Sequence, residues 1–298
     1  MREIRAFLEI SRWRIQLVSL ATILLGPLYA ADTIFALFNL DLLFFGILFL
    51  FSVTFACHIN CYYDREVDVL KKKHLARSVD TLSVSIVRNL MIFETVVIFG
   101  LIVYFFLKGY LIVAFLASLG WFFGYAYSAS PIRLKSRGLL SPIPVNLGIY
   151  VLPILAGHLV IDQDISVGFF IFIAGYSLLN LGINLVNVAE DYKVDKRSSI
   201  ITLAHKIGLE KTVVSASFFA LIGGTIVIVT LIPELTNFYA GAAFIFMLIA
   251  IIFTFIDITL ILYSEDIHKN AQKKGKRLPI YFISTRYPMV FILFFALL

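Results

Sequence analysis

The sequence predicts an all-α integral membrane protein with nine transmembrane helices, and three observations support this fold class. Of the 298 residues, 60% are hydrophobic and only 15% are charged, which leaves too little polar surface for a soluble domain of this size. Apolar runs of about 20 residues recur along the chain, and a helix of that length crosses a bilayer. The basic residues collect in alternate connections between these runs.

The chain divides into nine spans at the points where charged residues, Pro and Gly collect. The first run is too long for a cleavable signal peptide, and no small-residue cleavage pattern closes it near Ala30 and Ala31. We interpret residues 1–298 as a single transmembrane domain. The predicted spans are 13–31, 41–60, 84–107, 110–128, 140–160, 167–187, 212–232, 237–263 and 279–298.

The distribution of Lys and Arg predicts how the chain is oriented. With a cytoplasmic N-terminus, all but two of the 25 basic residues lie on the cytoplasmic side, and the exceptions are Lys108 and the intramembrane Arg286. The positive-inside rule therefore predicts a multi-pass protein of the cell membrane with its C-terminus outside. We expect the active site to open on the cytoplasmic side, because the long polar connections lie there. Those connections are 61–83, 129–139, 188–211 and 264–278.

The ends of spans two and six carry the same motif, N-x-x-x-D-x-x-x-D. The two spans lie four apart and point the same way through the membrane. This predicts two parallel four-helix repeats, approximately 10–135 and 140–278, followed by a ninth helix. The motif residues are Asn60, Asp64 and Asp68 in the first copy and Asn187, Asp191 and Asp195 in the second.

The spacing of the motif residues indicates a magnesium site. Residues at i, i+4 and i+8 stay near one face of a helix, so two facing motifs place four carboxylates around one cavity. Like charges at such distances need cations, and hard oxygen ligands favour Mg²⁺ completed by substrate phosphates. Solvated helix ends are the alternative interpretation for one such motif, and the matched second copy argues against it.

Basic residues follow both motifs, and two interpretations apply to them. Lys71 and Lys193 would neutralise a bound diphosphate, or they would satisfy only the positive-inside rule, which we favour for most of the basic residues. Arg133 and Lys135 are stronger candidates for diphosphate binding, because their loop is short and lies between the two repeats.

These residues together resemble the UbiA superfamily of intramembrane prenyltransferases. The resemblance includes both acidic motifs, nine spans and the stretch Y-S-A-S-P-I-R-L-K from Tyr127 to Lys135. It continues from Asp195 through Thr202 and Leu203 to Gly208. The chain departs from the family at Cys61, where Asp is frequent, and in the Lys-rich run after the first motif.

The resemblance implies a central cavity within the nine helices, capped on the cytoplasmic side by the connections after helices two and six. It implies Mg²⁺-dependent loss of diphosphate from an isoprenyl diphosphate and attack of an acceptor on the allylic carbocation. By position, Tyr127 and Ser128 would lie near the reacting carbon, Lys135 would contact phosphate, and Arg12 resembles the arginine of helix one. The metal–diphosphate would be held by Asn60, Asp64, Asp68, Asp191 and Asp195.

The acceptor is not fixed by these motifs. An aromatic quinone precursor is our first choice, and a glyceryl-phosphate lipid of archaeal type is the alternative. A secondary transporter is the rival from another class, although its charges would be expected at mid-membrane. Glu94 and Arg286 lie within spans and would bind acceptor, move a proton or pair with each other, while Asp257 has no assigned role. We infer no nucleic-acid ligand and no obligate protein partner.

Overall fold

A computed structural model describes residues 2–298, apart from the side chain of Lys71. Within this part the chain forms helices and no strand, which confirms the all-α prediction. The α-helices are α1 (Arg2–Ile10), α2 (Trp13–Ala30), α3 (Leu40–Tyr63), α4 (Arg65–Lys71), α5 (Lys73–Leu82), α6 (Val84–Leu107), α7 (Leu111–Ser128), α8 (Ile143–Val145), α9 (Leu152–Ile161), α10 (Val167–Arg197), α11 (Leu203–Ile207), α12 (Leu209–Leu231), α13 (Phe238–Thr259), α14 (Ile267–Gly275) and α15 (Leu278–Ala296).

Nine helical segments of the described chain are long and apolar enough to cross a membrane. They are α2, α3, α6, α7, the segment Gly138–Ile161, α10, α12 continued to Glu234, α13 and α15. Eight of them match the predicted spans to within a few residues, and α6 matches at both ends. The exception is α10, which continues ten residues past the predicted end at 187.

Five short helices lie at one end of the spans, and we call this end the basic face. They are α1, α4, α5, α11 and α14. The amphipathic helix α1 packs on α5 through Ala6, Ile10, Leu75 and Val79. The connections after spans two and six contain the short helices α4, α5 and α11 that the predicted cap requires. The cap itself and the internal repeat stay predictions.

The fifth span is not a continuous α-helix. It begins with 3-10 turns and α8, passes through a π-helix over Asn146–Val151 and ends as α9. Pro144 and Pro153 remove backbone donors on either side of the π-helix, which prevents a regular hydrogen-bond ladder. The π-helix carries Tyr150, whose hydroxyl accepts a hydrogen bond from Asn184 Nδ2 at 2.7 Å. Wide turns of this kind often occur at functional sites.

Small residues hold α10 close to α12. A Cβ on Gly223 would lie 2.2 Å from the backbone nitrogen of Leu179, and one on Gly182 would lie 2.6 Å from the carbonyl oxygen of Ala216. Such close backbone approach is typical of helix packing within membranes. It fixes the position of α10 and therefore of the second acidic motif.

Two of the intramembrane acids have structural partners. Glu94 Oε1 lies 2.9 Å from His58 Nδ1, so the alternative in which Glu94 pairs with Arg286 is wrong. His58 also contacts Ser11 at 2.9 Å, which ties the end of α1 to the bundle. Asp257 accepts hydrogen bonds from three residues that join α13 to α14 and α15. These are Lys274, Arg277 and Tyr281.

Candidate active site

Both acidic motifs line one cavity of about 530 Å³ inside the bundle. The sequence prediction that the two motifs face a common space is thus supported by the geometry, although the residues lie more than 100 positions apart in the chain. Most of the remaining wall is apolar. The motif residues that line the cavity are Asn60, Asp64, Asp68, Asn187, Asp191 and Asp195.

The first motif straddles a break between two helices. Helix α3 ends at Tyr63, and α4 begins at Arg65 after a turn at Asp64. The Asp64 carboxylate is buried and contacts Lys135 Nζ, and Arg133 donates to its Oδ1 at 3.1 Å. The turn therefore directs Asp64 toward the basic loop that follows α7.

Asn60 links the first motif to two other helices. Its Nδ2 donates hydrogen bonds to Asp64 Oδ2 at 2.8 Å and to Ser128 Oγ at 2.9 Å. Its Oδ1 accepts a hydrogen bond from the Arg12 guanidinium. Ser128 is fully buried, and in this structure it positions Asn60 rather than lining the cavity.

Two arginines beside the first motif have an unfavourable backbone conformation. Arg12 has φ 48° and Arg133 has φ 39°, in the left-handed region that residues with a Cβ rarely occupy. Such conformations cost free energy and concentrate at functional sites, where surrounding contacts hold them. Here the contacts are those of Arg12 with Asn60 and of Arg133 with Asp64.

Lys135 is the most buried of the basic residues that contact the first motif, and it lines the cavity. Burial lowers the pKa of Lys135 from its ordinary value, while the Asp64 carboxylate opposes this by favouring the charged form. Its Nζ lies 6.0 Å from the centre of the Tyr127 ring, and Tyr127 also lines the cavity. A cation, a carboxylate and an aromatic ring therefore lie together where the cavity approaches the basic face.

The second motif lies on an uninterrupted helix. The predicted membrane span ends at 187, and α10 remains helical beyond it to Arg197, so that its last turns carry Asn187, Asp191 and Asp195. Helix α14 packs against this segment, and a Cβ on Gly275 would lie 2.0 Å from Glu190 Oε2. The absence of a side chain at Gly275 thus allows α14 to approach the second motif.

The remaining predicted diphosphate ligands differ in position. Lys193 is exposed and does not line the cavity, and the side chain of Lys71 lies outside the described part of the chain. Lys72, Glu190 and Gly275 line the cavity but were not among the predicted site residues. Lys72 and Glu190 adjoin the motifs in sequence, whereas no signal near Gly275 connects it with them.

The donor set fits Mg²⁺ shared with a phosphate ligand. The two motifs present four aspartate carboxylates and two amides to the cavity, and their oxygens are hard ligands. Among the described residues, no three His, Cys, Asp or Glu side chains are gathered into a ready metal cage. Mg²⁺ needs no complete cage of protein ligands, because it commonly takes one or two carboxylates and completes its shell with water and phosphate oxygens.

Comparison with known proteins identifies what the chain is similar to. A model described as the UbiA prenyltransferase family matches residues 19–277. The comparison with curated proteins found no match.

Solved structures with similar folds are related at low sequence identity. A UbiA homolog from Archaeoglobus fulgidus bound to DMAPP and Mg²⁺ has TM-score 0.72 and 20% identity, with 98% of each chain covered. The homolog from the same organism bound to GPP and Mg²⁺ has TM-score 0.68 and 19% identity, covering 95% of this chain and 99% of its own. A digeranylgeranylglyceryl phosphate synthase has TM-score 0.67 and 18% identity, covering 100% and 99%.

Proposed function

The chain belongs to the UbiA prenyltransferase family, and from this we propose that it transfers an isoprenyl group from a prenyl diphosphate to a lipophilic acceptor in an Mg²⁺-dependent reaction. The observation that supports this most directly is the shared cavity, in which two acidic motifs and Lys135 form a polar end above apolar walls. A polar end suits a diphosphate, and apolar walls suit its isoprenoid tail.

The residues of the chain prepare the leaving group. Lys135 and Arg133 donate hydrogen bonds to Asp64 in this structure. Lys135 lines the cavity and would donate to a diphosphate oxygen when the donor substrate binds, while Arg133, which does not line it, would hold Asp64 in place. Arg12 adds a further cation that lines the cavity. Bound Mg²⁺, held by carboxylates of both motifs, would supply additional stabilisation of the negative charge on the diphosphate.

The reaction breaks the bond between C1 of the prenyl group and the diphosphate oxygen, and both electrons leave with the diphosphate. The allylic cation then forms a bond with a nucleophilic atom of the acceptor, which loses a proton. The Tyr127 ring would stabilise the cation through its π face. The apolar walls exclude water, which would otherwise capture the cation and give the alcohol.

An aromatic quinone precursor is the acceptor that we propose first, because the cavity wall offers aromatic side chains such as Tyr127, Tyr150 and Phe282. A glyceryl-phosphate lipid is the second candidate. The similar fold of a digeranylgeranylglyceryl phosphate synthase over the whole chain favours this alternative.

We also propose that the basic face is cytoplasmic, which puts the N-terminus inside the cell and the C-terminus outside. The positive-inside rule supports this orientation. Reporter fusions after Lys108 and after Lys276 test it, because the first should report the outside and the second the cytoplasm. The reverse result would place the active site on the outer side of the membrane.

Diphosphate release from geranyl and geranylgeranyl diphosphate, measured with a panel of acceptors, tests the enzymatic proposal. We expect turnover with Mg²⁺, none with EDTA, and a fall of roughly 1,000-fold in Asp64→Ala and in Asp191→Ala, since each variant loses an anionic ligand of the metal–diphosphate. The control is Asp164→Asn, which changes an exposed acid on the opposite face and should retain wild-type turnover.

A different outcome of this experiment would favour the transporter alternative over prenyl transfer. If the purified protein binds no prenyl diphosphate and both aspartate variants behave as the wild type does, prenyl transfer is wrong for this chain. Uptake of an anionic solute into proteoliposomes under an ion gradient, again compared with Asp164→Asn, would then test the transporter alternative.

A further inference from the structure

Arg286 is a charged residue in the middle of the bundle, and among the described residues no acidic side chain pairs with it. Only 1% of its surface is exposed, and it lies eight residues into α15 from the basic face. Within residues 2–298 it forms no ion pair with a carboxylate, and its three hydrogen bonds go to neutral oxygens. Nε and Nη2 donate to Asn180 Oδ1 at 3.1 and 2.6 Å, and Nη1 donates to Thr22 Oγ1 at 3.2 Å.

Aromatic rings complete the surroundings of Arg286. Its guanidinium carbon lies 4.4 Å from the ring centre of Phe282 and 4.8 Å from that of Tyr150. These contacts stabilise a cation but do not neutralise it. An intramembrane charge held in this way indicates function, because neutral side chains would fill the same space at lower cost.

Arg286 lines the same cavity as the acidic motifs, at a depth that fits the acceptor. Along α10, Asn184 and Asn180 precede Asp191 by seven and eleven residues, which corresponds to about 10 and 16 Å. Asn184 also lines the cavity and donates to the Tyr150 hydroxyl beside Arg286. A molecule the size of one or two aromatic rings would reach from C1 of the donor to the guanidinium.

A second part of the cavity is different in chemistry. Toward the face opposite the basic face, the wall between α3, α7 and α9 is formed by uncharged, mostly apolar side chains. Phe45, Leu116 and Ala156 are examples. An isoprenoid tail has no polar atom, so this apolar part suits the tail and leaves the polar part at Arg286 for another ligand.

We propose that Arg286 determines acceptor specificity by binding a carboxylate on an aromatic acceptor, with the ring of the acceptor beside Tyr150 and Phe282. This rests on the prenyl transfer proposed above and adds to it the residue that recognises the acceptor. A carboxylate matches the planar guanidinium and carries one charge. A phosphate, with up to two charges, is harder to desolvate at this depth.

Acceptor binding to the detergent-solubilised protein tests the proposal. With geranyl thiodiphosphate and Mg²⁺ present, the dissociation constants of 4-hydroxybenzoate and of the neutral 4-hydroxybenzamide are compared, and 1,4-dihydroxy-2-naphthoate is compared with its methyl ester. In the wild type we expect at least one acid to bind roughly 10- to 100-fold more tightly than its neutral analogue, the range for a hydrogen bond to a charged group.

Three variants distinguish recognition from a structural role. Arg286→Met should remove the preference for the acid while leaving geranyl thiodiphosphate affinity within about twofold of wild type, since the donor binds elsewhere in the cavity. Arg286→Lys keeps the charge and should retain part of the preference, and it replaces Arg286→Met if that variant does not fold. Arg88→Met, an exposed arginine outside the cavity, should behave as wild type.

Two results would overturn the proposal without affecting prenyl transfer. One is a wild type that turns over prenyl diphosphate but binds acids and neutral analogues equally. The other is turnover with a glyceryl-phosphate lipid and with no aromatic acid. Failure to bind geranyl thiodiphosphate at all would instead contradict the proposed function itself, and with it this inference.

Discussion

The two acidic motifs have the same sequence pattern but different structures. In the first, the helix breaks at Asp64, and the carboxylate turns toward Lys135 and Arg133. In the second, α10 continues through Asp191 and Asp195 without a break. Two copies of one pattern therefore present their carboxylates from a turn on one side of the cavity and from a straight helix on the other.

This difference indicates a division of roles between the two sides. The first motif is connected through Asn60 to Arg12 and Ser128 and through Asp64 to the loop after α7, so cations and carboxylates act there as one network. The second motif is positioned by helix packing, since α10 lies closely against α12 and α14 lies against Glu190. We therefore expect substitutions beside the first motif to act by breaking charge pairs, and substitutions beside the second motif to act by disturbing helix packing.

The largest expected effect is on stability and concerns the first motif. Without Mg²⁺, Asp64→Ala should lower the free energy of unfolding by about 3 kcal/mol, because the buried Lys135 loses its carboxylate. The double variant Asp64→Ala/Lys135→Met should recover much of this loss. Thermal unfolding in detergent with EDTA measures both.

The control for this prediction is Asp80→Ala, which breaks the exposed ion pair with Arg65 and should cost less than 1 kcal/mol, as is usual for surface pairs. Equal destabilisation by the two single variants, or no recovery in the double variant, would show that Asp64 and Lys135 are not coupled as the structure indicates.

A somewhat smaller effect is expected on turnover, and it should differ between the basic residues beside the two motifs. Lys135→Met should reduce turnover roughly 100-fold, because it removes a buried cation from the site of the leaving diphosphate. Lys193→Met should change turnover less than twofold, since Lys193 is exposed and does not line the cavity. Steady-state diphosphate release measures both, and a large effect at Lys193 would contradict the assignment.

The smallest effect concerns the packing of the second motif. Gly275→Ala would place a methyl group against the Glu190 carboxylate and displace the end of α10 or α14. We expect the Mg²⁺ concentration for half-maximal turnover to rise by about tenfold, because ligand geometry is disturbed while every ligand is retained. Gly241→Ala is the matched control, since its added Cβ would meet no atom within 4 Å. An unchanged Mg²⁺ dependence in Gly275→Ala would show that α14 does not position the motif.

The amino-acid sequence alone determined the spans, the pairing of the motifs and most of the polar residues that line the basic end of the cavity. Length and apolarity define a membrane helix locally, so eight spans were predicted to within a few residues. The repeated N-x-x-x-D-x-x-x-D pattern, and Tyr127 and Lys135 at the two ends of the Y-S-A-S-P-I-R-L-K stretch, identified residues that the structure brings to one cavity. These features depend on neighbours in the chain and can be recognised without the fold.

Only the tertiary structure decided which charged residues meet. Glu94 pairs with His58 and not with Arg286, Asp257 joins three helices, and Gly275 makes room for Glu190. The different geometry of the two motifs was also unpredictable, because both sequences are compatible with a helix end. Such outcomes depend on contacts between residues far apart in the chain, and inside a membrane a buried charge is stabilised only by the partner that packing brings to it.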